Sequence, residues 1–452
     1  MKLKLYRSST VGIDFGNFKI LQDPWLTDGE YYGSWSHYPF YDLQNNLDEI
    51  NSYNAIYISH IHPDHSSEKT LKFLNKNIPI YIHKYSKKFL KFKLENLGFQ
   101  VYELENGSKI KIGKDVDIRI FAADNCDPEL CYRFTGCADF ITKEKGSQQI
   151  DSISVISNNK FVIVNLNDCP YDLAKNTLTN IKKIYDKVDL LLLGYGGAGP
   201  YPQCFDNLSY EQKIIAAETK KKNFLNQAIM YIKDIKPKYF MPFAGTYTLT
   251  GKLSHLQDLR GVASIDEAYN YLDNYFNKNK NFTDVKSIKI NTDQIFDFSI
   301  NEQSKPYSII NLSEYKEYIK NILLKKKLDY ETDESVSFEE IYELSKKAYV
   351  RFLDKQLLNN IDLKTDIYIN VKDKHIKLSH SNKKLEVVLR DEIKMGLNCV
   401  IYKTDIRLLR SLLSGPKYAH WDNAEIGSHI NFSRYPDIYE REVYGNMCYF
   451  HA

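Results

Sequence analysis

The chain has 452 residues, with 61 basic and 58 acidic side chains and a formal net charge of +3. That length supports two cores, and so even a charge balance lacks the basic field that nucleic acid requires. The seven cysteines (126, 131, 137, 169, 204, 399 and 448) are odd in number and scattered, which argues against a disulfide framework. No stretch reads as a signal peptide or a membrane span, so the expectation is a cytoplasmic protein with no membrane partner.

Strands and helices alternate through the first half. Residues 18–21 form a short apolar strand running into Asp23-Pro24-Trp25. Residues 55–59 are a β-branched and aromatic strand, followed at once by a histidine cluster. A helix is expected over 67–74, a strand over 78–82, and a helix over 88–97 stopped by Gly98. Strands follow at 116–122, 152–156 and 161–166, the last two joined by an Asn158-Asn159 turn. A helix over 171–185 precedes a buried strand, 188–193, that enters the glycine-rich loop 194–199. A long helix over 211–235 and a strand over 239–242 complete the pattern. The Lys220–Lys222 and Lys325–Lys327 clusters read as solvated helix faces.

The pattern loosens between 291 and 308, which reads as a linker. Beyond it come helices over 313–324 and 337–360, short strands over 366–371, 375–379, 385–389 and 399–403, and a helix over 406–413 ending at Gly415. The expected division is residues 1–300 and a smaller α+β domain, 301–452.

The loop His60-Ile61-His62-Pro63-Asp64-His65 places three imidazoles and a carboxylate within six residues of a strand end. A tight turn there lets His60 and His62 face one metal and Asp64 and His65 a second. Nitrogen and carboxylate donors suit zinc, iron or manganese. Two such ions lie about 3.5–4 Å apart in dinuclear sites. The loop resembles the signature of the metallo-β-lactamase superfamily. The resemblance implies an α/β fold, an αββα sandwich, covering roughly residues 19–248. It also implies that Asp23 ends an early strand beside the site and that Asp168, after the strand 161–166, bridges the metals. On this reading Asp64 and Asp168 are the catalytic carboxylates.

A narrower resemblance rests on Gly196-Gly197-Ala198-Gly199, Glu218-Thr219-Lys220-Lys221-Lys222, Pro242-Phe243-Ala244-Gly245, Glu425-Ile426-Gly427 and Arg434-Tyr435-Pro436-Asp437-Ile438-Tyr439. These segments are similar to those of CMP-N-acetylneuraminate hydroxylases, which hydroxylate a sugar nucleotide with O2 and take electrons through a Rieske centre. A Rieske centre uses two Cys and two His. This sequence has no Cys-x-His motif, so an external reductase is the expected electron donor.

Two usual superfamily histidines are missing. Where one would follow the strand 116–122, the sequence offers Asp124 to Glu129, and Asp127 is the expected replacement, with Cys126 and Glu129 as rivals. Where the other would follow 239–242, the strand runs into Phe243-Ala244-Gly245, and His255 is the nearest histidine downstream. Carboxylate for imidazole hardens the site and favours iron or manganese over zinc; two metal ions are expected, iron ahead of zinc or manganese.

Further candidates to contact a substrate or support the metals are His37 on a polar–aromatic loop, Tyr195 in the glycine-rich loop, and His420, Glu425 and His429 from the C-terminal part. A structural turn is an equal reading of the last three. The glycine-rich loop lacks phosphate-cradle spacing and reads as a close-approach loop whose N–H groups face a substrate oxyanion. The functional expectation is an iron-dependent oxygenase acting on a small polar substrate. The alternative is a hydrolase of an ester, thioester, lactone or phosphodiester. A non-catalytic O2-binding role ranks last.

Overall fold

The computed structural model describes residues 1–126, 151–393 and 397–452. Two large sheets dominate. The first has eight strands in the order Glu302–Gln303, Gln294–Asp297, Lys2–Arg7, Thr10–Asp14, Lys19–Gln22, Ala55–Tyr57, Ile80–His83 and Val101–Leu104. The second has seven, in the order Lys286–Ser287, Tyr239–Phe243, Leu190–Gly194, Val162–Asn165, Ser152–Ser157, Asp117–Ala122 and Lys109–Lys111.

The period-2 alternation of side chains assigns each strand two faces. Leu190 and Leu192 join Ile20, Ala55 and Tyr57 in one core, so the sheets pack face to face. Leu191 and Leu193 point the other way, into the core beneath the helices Tyr171–Ile184, Tyr210–Ile235 and Ile265–Asn277. On the far side, Ile56, Ile58 and Ile80 meet Leu71, Leu90 and Leu94 from the helices Glu68–Leu71 and Phe89–Asn96. The layers therefore run helix, sheet, sheet, helix, the αββα sandwich expected from the sequence. The strand Leu190–Gly194 is paired in parallel on both sides and buried on each face, which explains its unbroken leucine run.

The C-terminal part is α+β. A five-stranded sheet, ordered Leu385–Leu389, Lys374–Leu378, Asp366–Val371, Cys399–Lys403 and Asn431–Tyr435, packs against the helices Phe338–Leu358 and Ile406–Ser414. Its core is continuous with Trp25, Tyr31, Trp35 and Tyr247 of the sandwich.

The region expected as a linker contains structure. Gln294–Asp297 pairs antiparallel with Lys2–Arg7, and Glu302–Gln303 pairs with Gln294–Asp297. The segment is short and polar, and its strand character comes from the open edge it covers rather than from its own pattern. The strand Asn431–Tyr435 likewise covers a sheet edge, whereas Lys2–Arg7 and Thr10–Asp14 are interior strands whose alternating Leu3, Leu5, Val11 and Ile13 are buried in the core.

Candidate metal centre

The histidine loop leaves the C-terminal end of Ala55–Tyr57, whose parallel neighbour Lys19–Gln22 delivers Asp23 to the same edge. Across the sandwich, Val162–Asn165 runs out toward Asp168, and the antiparallel strand Ser152–Ser157 begins just after Asp151. Ligand-type side chains from both sheets thus converge at one edge, where α/β folds place their sites.

The hydrogen bonds fix which nitrogen of each imidazole is available. The Asp23 carboxylate accepts from Ser59 N–H at 2.7 Å, from Ser59 Oγ at 2.8 Å and from His65 Nδ1 at 2.9 Å. His65 therefore carries its proton on Nδ1, and Nε2 presents a lone pair. Ser59 Oγ, having donated to Asp23, accepts from His60 Nδ1 at 2.9 Å, which frees His60 Nε2. His62 Nε2 lies 3.3 Å from Asp422 Oδ2, leaving His62 Nδ1 as the lone pair. Such carboxylate or hydroxyl partners behind the ring are how proteins orient metal-binding histidines.

The freed nitrogens face one another. His60 Nε2 is 3.0 Å from His62 Nδ1. His65 Nε2 is buried without a hydrogen-bond partner, 3.3 Å from Asp168 Oδ2 and 3.5 Å from Asp64 Oδ2. One donor atom each from His60, His65 and Asp168 falls within a 4.8 Å cluster. Lone pairs directed at each other and at carboxylates repel unless a proton or a metal ion lies among them, and a donor set of imidazoles and carboxylates fits a metal centre. Burial opposes charge on His65, yet Asp168, Asp64 and Asp23 together raise its pKa well above the ordinary value. The field is that of a cation site.

Asp64 is positioned from outside the loop. Its Oδ1 accepts from the Tyr31 phenol at 2.5 Å, and its backbone carbonyl accepts from Ser9 Oγ. Asp168 is the open member, with about a third of its side chain exposed (35%). Gly194 ends the neighbouring strand, and a Cβ there would lie 2.8 Å from the Asn167 carbonyl and 3.8 Å from Asp168 Oδ1. Only glycine lets the two loops close beside Asp168.

Two carboxylates not singled out in the sequence stand at the centre. Asp422 reaches His62 from the C-terminal part, and Asp151 Oδ1 lies 3.7 Å from His60 Nδ1. Burial holds the Asp151 carboxyl up at about 6. Asp422 lay within the polar segment 419–429, but its position depends on packing between distant parts of the chain. Asp151 follows a segment without strand periodicity and left no signal.

Several candidates lie elsewhere. Asp127 falls outside the described residues, as do Glu129, Cys131 and Cys137. His37 is buried against Trp25, ring centroids 4.2 Å apart, and burial holds its pKa down to about 3, so it belongs to packing rather than a pocket mouth. Tyr195 is buried behind Gly245, where its ring fills the space a Cβ would take. His255 is exposed, and its Nδ1 bonds to the Lys252 carbonyl at 2.7 Å. Neither Tyr195 nor His255 joins the cluster. His429 is buried with both nitrogens occupied, Nε2 by the Tyr31 carbonyl at 2.6 Å and Nδ1 by the Tyr330 hydroxyl at 3.1 Å. His420 donates its backbone N–H to the Tyr32 hydroxyl at 2.7 Å, and its ring interacts electrostatically with Asp422 and His62. Gly197 and Gly245 make room for the rings of Phe224 and Tyr195, so close packing accounts for their size.

No protein-family model matches the chain. It is 29% identical over 241 residues to the cytidine monophosphate-N-acetylneuraminic acid hydroxylase of Danio rerio, covering 52% of this chain and 36% of that protein. It is 24% identical over 290 residues to the enzyme of the same name from Asterias rubens, covering 62% of this chain and 40% of that protein. The chain thus spans well under half the length of these relatives. Among solved structures it is similar to CmlA, a diiron β-hydroxylase from Streptomyces venezuelae, with a TM-score of 0.40, 13% identity and coverage of 64% of this chain and 52% of that one. It is also similar to an isothiocyanate hydrolase from Delia radicum gut bacteria, with a TM-score of 0.43, 12% identity and coverage of 66% and 99%.

Proposed function

We propose that the chain is a metal-dependent oxygenase that holds two iron ions and hydroxylates a small polar molecule, with a sugar or nucleotide sugar as the class suggested by the names of its relatives. The observation that carries the reading is that His60 Nε2 and His62 Nδ1 face each other while His65 Nε2 faces Asp64 and Asp168, with His60, His65 and Asp168 donors in one cluster. His60 Nε2 and His62 Nδ1 would hold one ion, and His65 Nε2 with Asp64 the other. Asp168, between them and open to the outside, would bridge both. When bound, such ions supply a Lewis-acidic, O2-activating centre.

The chain's own residues do the rest. Asp23 and Ser59 keep the protons of His65 and His60 on Nδ1. Tyr31 fixes the rotamer of Asp64. Asp422 holds His62 from behind. The weight of carboxylates supports iron or manganese over zinc, and the hydroxylase relatives support iron. Similarity to two curated hydroxylases supports oxygenation over hydrolysis. Hydroxylation balances as R–H + O2 + 2 e⁻ + 2 H⁺ → R–OH + H2O, so a separate reductase supplies two electrons.

Metal content of anaerobically purified protein, followed by O2 uptake with a chemical reductant, tests this reading. About two irons per chain and reductant-dependent O2 consumption are expected. Stoichiometric zinc with no O2 uptake would overturn it and leave hydrolysis of an ester, thioester, lactone or phosphodiester, abolished by His62→Ala, as the activity.

A further inference from the structure

Beside the metal centre a cavity of about 440 Å³ opens between the glycine-rich loop and the C-terminal part. That size holds a small organic molecule. Its walls are aromatic: Tyr201 and Phe205 on one side, Tyr439 and Tyr444 on the other. Tyr439 and Tyr444 stack with centroids 5.0 Å apart. Asp422, the carboxylate behind His62, also lines it, so the cavity and the metal centre share a residue.

The charges in the lining are unequally matched. Arg434 is already paired: Nε and Nη2 donate to Asp437 Oδ1 at 2.8 and 2.6 Å, and Nη1 donates to the Tyr444 hydroxyl at 3.1 Å. Its guanidinium lies 4.9 Å from the Phe205 ring centroid. Asp422 is engaged with His62. Glu425 has no hydrogen-bond or ion-pair partner for its carboxyl among the described residues, although it is only partly exposed. A partly buried carboxyl left unpaired among rings is costly, and a matching donor from a ligand removes that cost. Aromatic walls attract a cation through their ring faces.

We infer that this cavity, on the Asp422 side of His62, is a ligand pocket that takes a ring compound bearing an ammonium group, the ring lying against the tyrosines and the ammonium against Glu425. This binding preference does not depend on the oxygenase reading. An anionic ligand finds no unpaired cation in this lining.

Two near-isosteric probes of opposite charge decide the matter: tryptamine and indole-3-propionate, titrated into the purified full chain by calorimetry. Tryptamine is expected to bind about tenfold more tightly, a factor within the range of one desolvated cation–π and charge contact. Glu425→Gln should abolish the preference with a melting temperature no lower than that of the native chain. Tyr439→Leu should weaken tryptamine binding several-fold. Equal or tighter binding of the propionate, or no binding of either probe to the native chain, overturns the inference, and so does a preference that survives in Glu425→Gln. The readout needs neither turnover nor a particular metal, so a zinc-loaded protein inactive toward O2 would refute the oxygenase reading and still report on the pocket.

Discussion

The phenol of Tyr31 donates to Asp64 Oδ1 at 2.5 Å while the carbonyl of the same residue accepts from His429 Nε2 at 2.6 Å. A residue of the C-terminal part thereby holds the residue that orients a metal-loop carboxylate. Tyr31 and Tyr32 both have left-handed backbones, φ 50° and 57°, which cost non-glycine residues about 1–2 kcal/mol each. His429 offsets part of that cost, and the bond between the His420 N–H and the Tyr32 hydroxyl does the same one residue on. Gly427 permits the approach, since a Cβ there would meet Tyr31 Cβ at 2.9 Å and His429 Cδ2 at 2.7 Å.

Tyr31→Phe removes one hydrogen bond to a buried carboxylate. The expected loss is about 1.5–3 kcal/mol of stability in the metal-free protein, read from urea unfolding midpoints. Metal affinity should fall as well, since Asp64 loses its rotamer restraint. An unchanged affinity would mean that the loop backbone alone positions Asp64.

Asp23→Asn is expected to act through the tautomer of His65. An amide can donate to Nδ1, which moves the imidazole proton to Nε2 and blocks the lone pair facing Asp168. The folded protein should bind one metal fewer per chain, or bind the second about tenfold to hundredfold more weakly. Metal content after dialysis against a graded chelator measures this. Full loading at unchanged affinity would refute the tautomer assignment.

Asp422→Asn leaves the packing intact and weakens the hold on His62. Metal affinity should drop by about tenfold or more with little change in melting temperature. Gly427→Ala should reach the metal by another route: it displaces Tyr31 and His429, so it lowers both stability and metal affinity.

Burial holds His37 down to about 3 and His429 to about 4, against about 6.5 in an unfolded chain. Below pH ~6.5 the unfolded chain takes up protons that these rings refuse, so their contribution is intact above that pH and is lost as pH falls toward 4. The slope is at most about 1.4 kcal/mol per pH unit for each ring. Between pH 7.5 and 5 the urea midpoint of the metal-free native chain should fall relative to that of His429→Phe, which lacks this ring's share. A difference between the two that stays constant or moves the other way would contradict the buried neutral state.

The sequence by itself determined the scaffold and half of the metal centre. The leucine run 190–193 and the β-branched strand 55–58 are short continuous apolar runs, the mark of strands buried on both faces, and the His60–His65 loop is contiguous, so its donors are brought together by the strand end alone. Asp23 and Asp168 were reached through the family resemblance, each lying just past a strand end. What only the tertiary structure decided lies far apart in the chain. Asp422 meets His62 across 360 positions, and His429 meets Tyr31 across 398. His37 and Tyr195, polar by composition and loop-bound by pattern, went to the core because neighbouring rings and a glycine left space for them. Gln294–Asp297 became a strand because an open edge was waiting for it. Periodicity is a local property and can be read from one chain. Contacts at such separations depend on how the sandwich and the C-terminal sheet close around a shared core, and no local pattern encodes that closure.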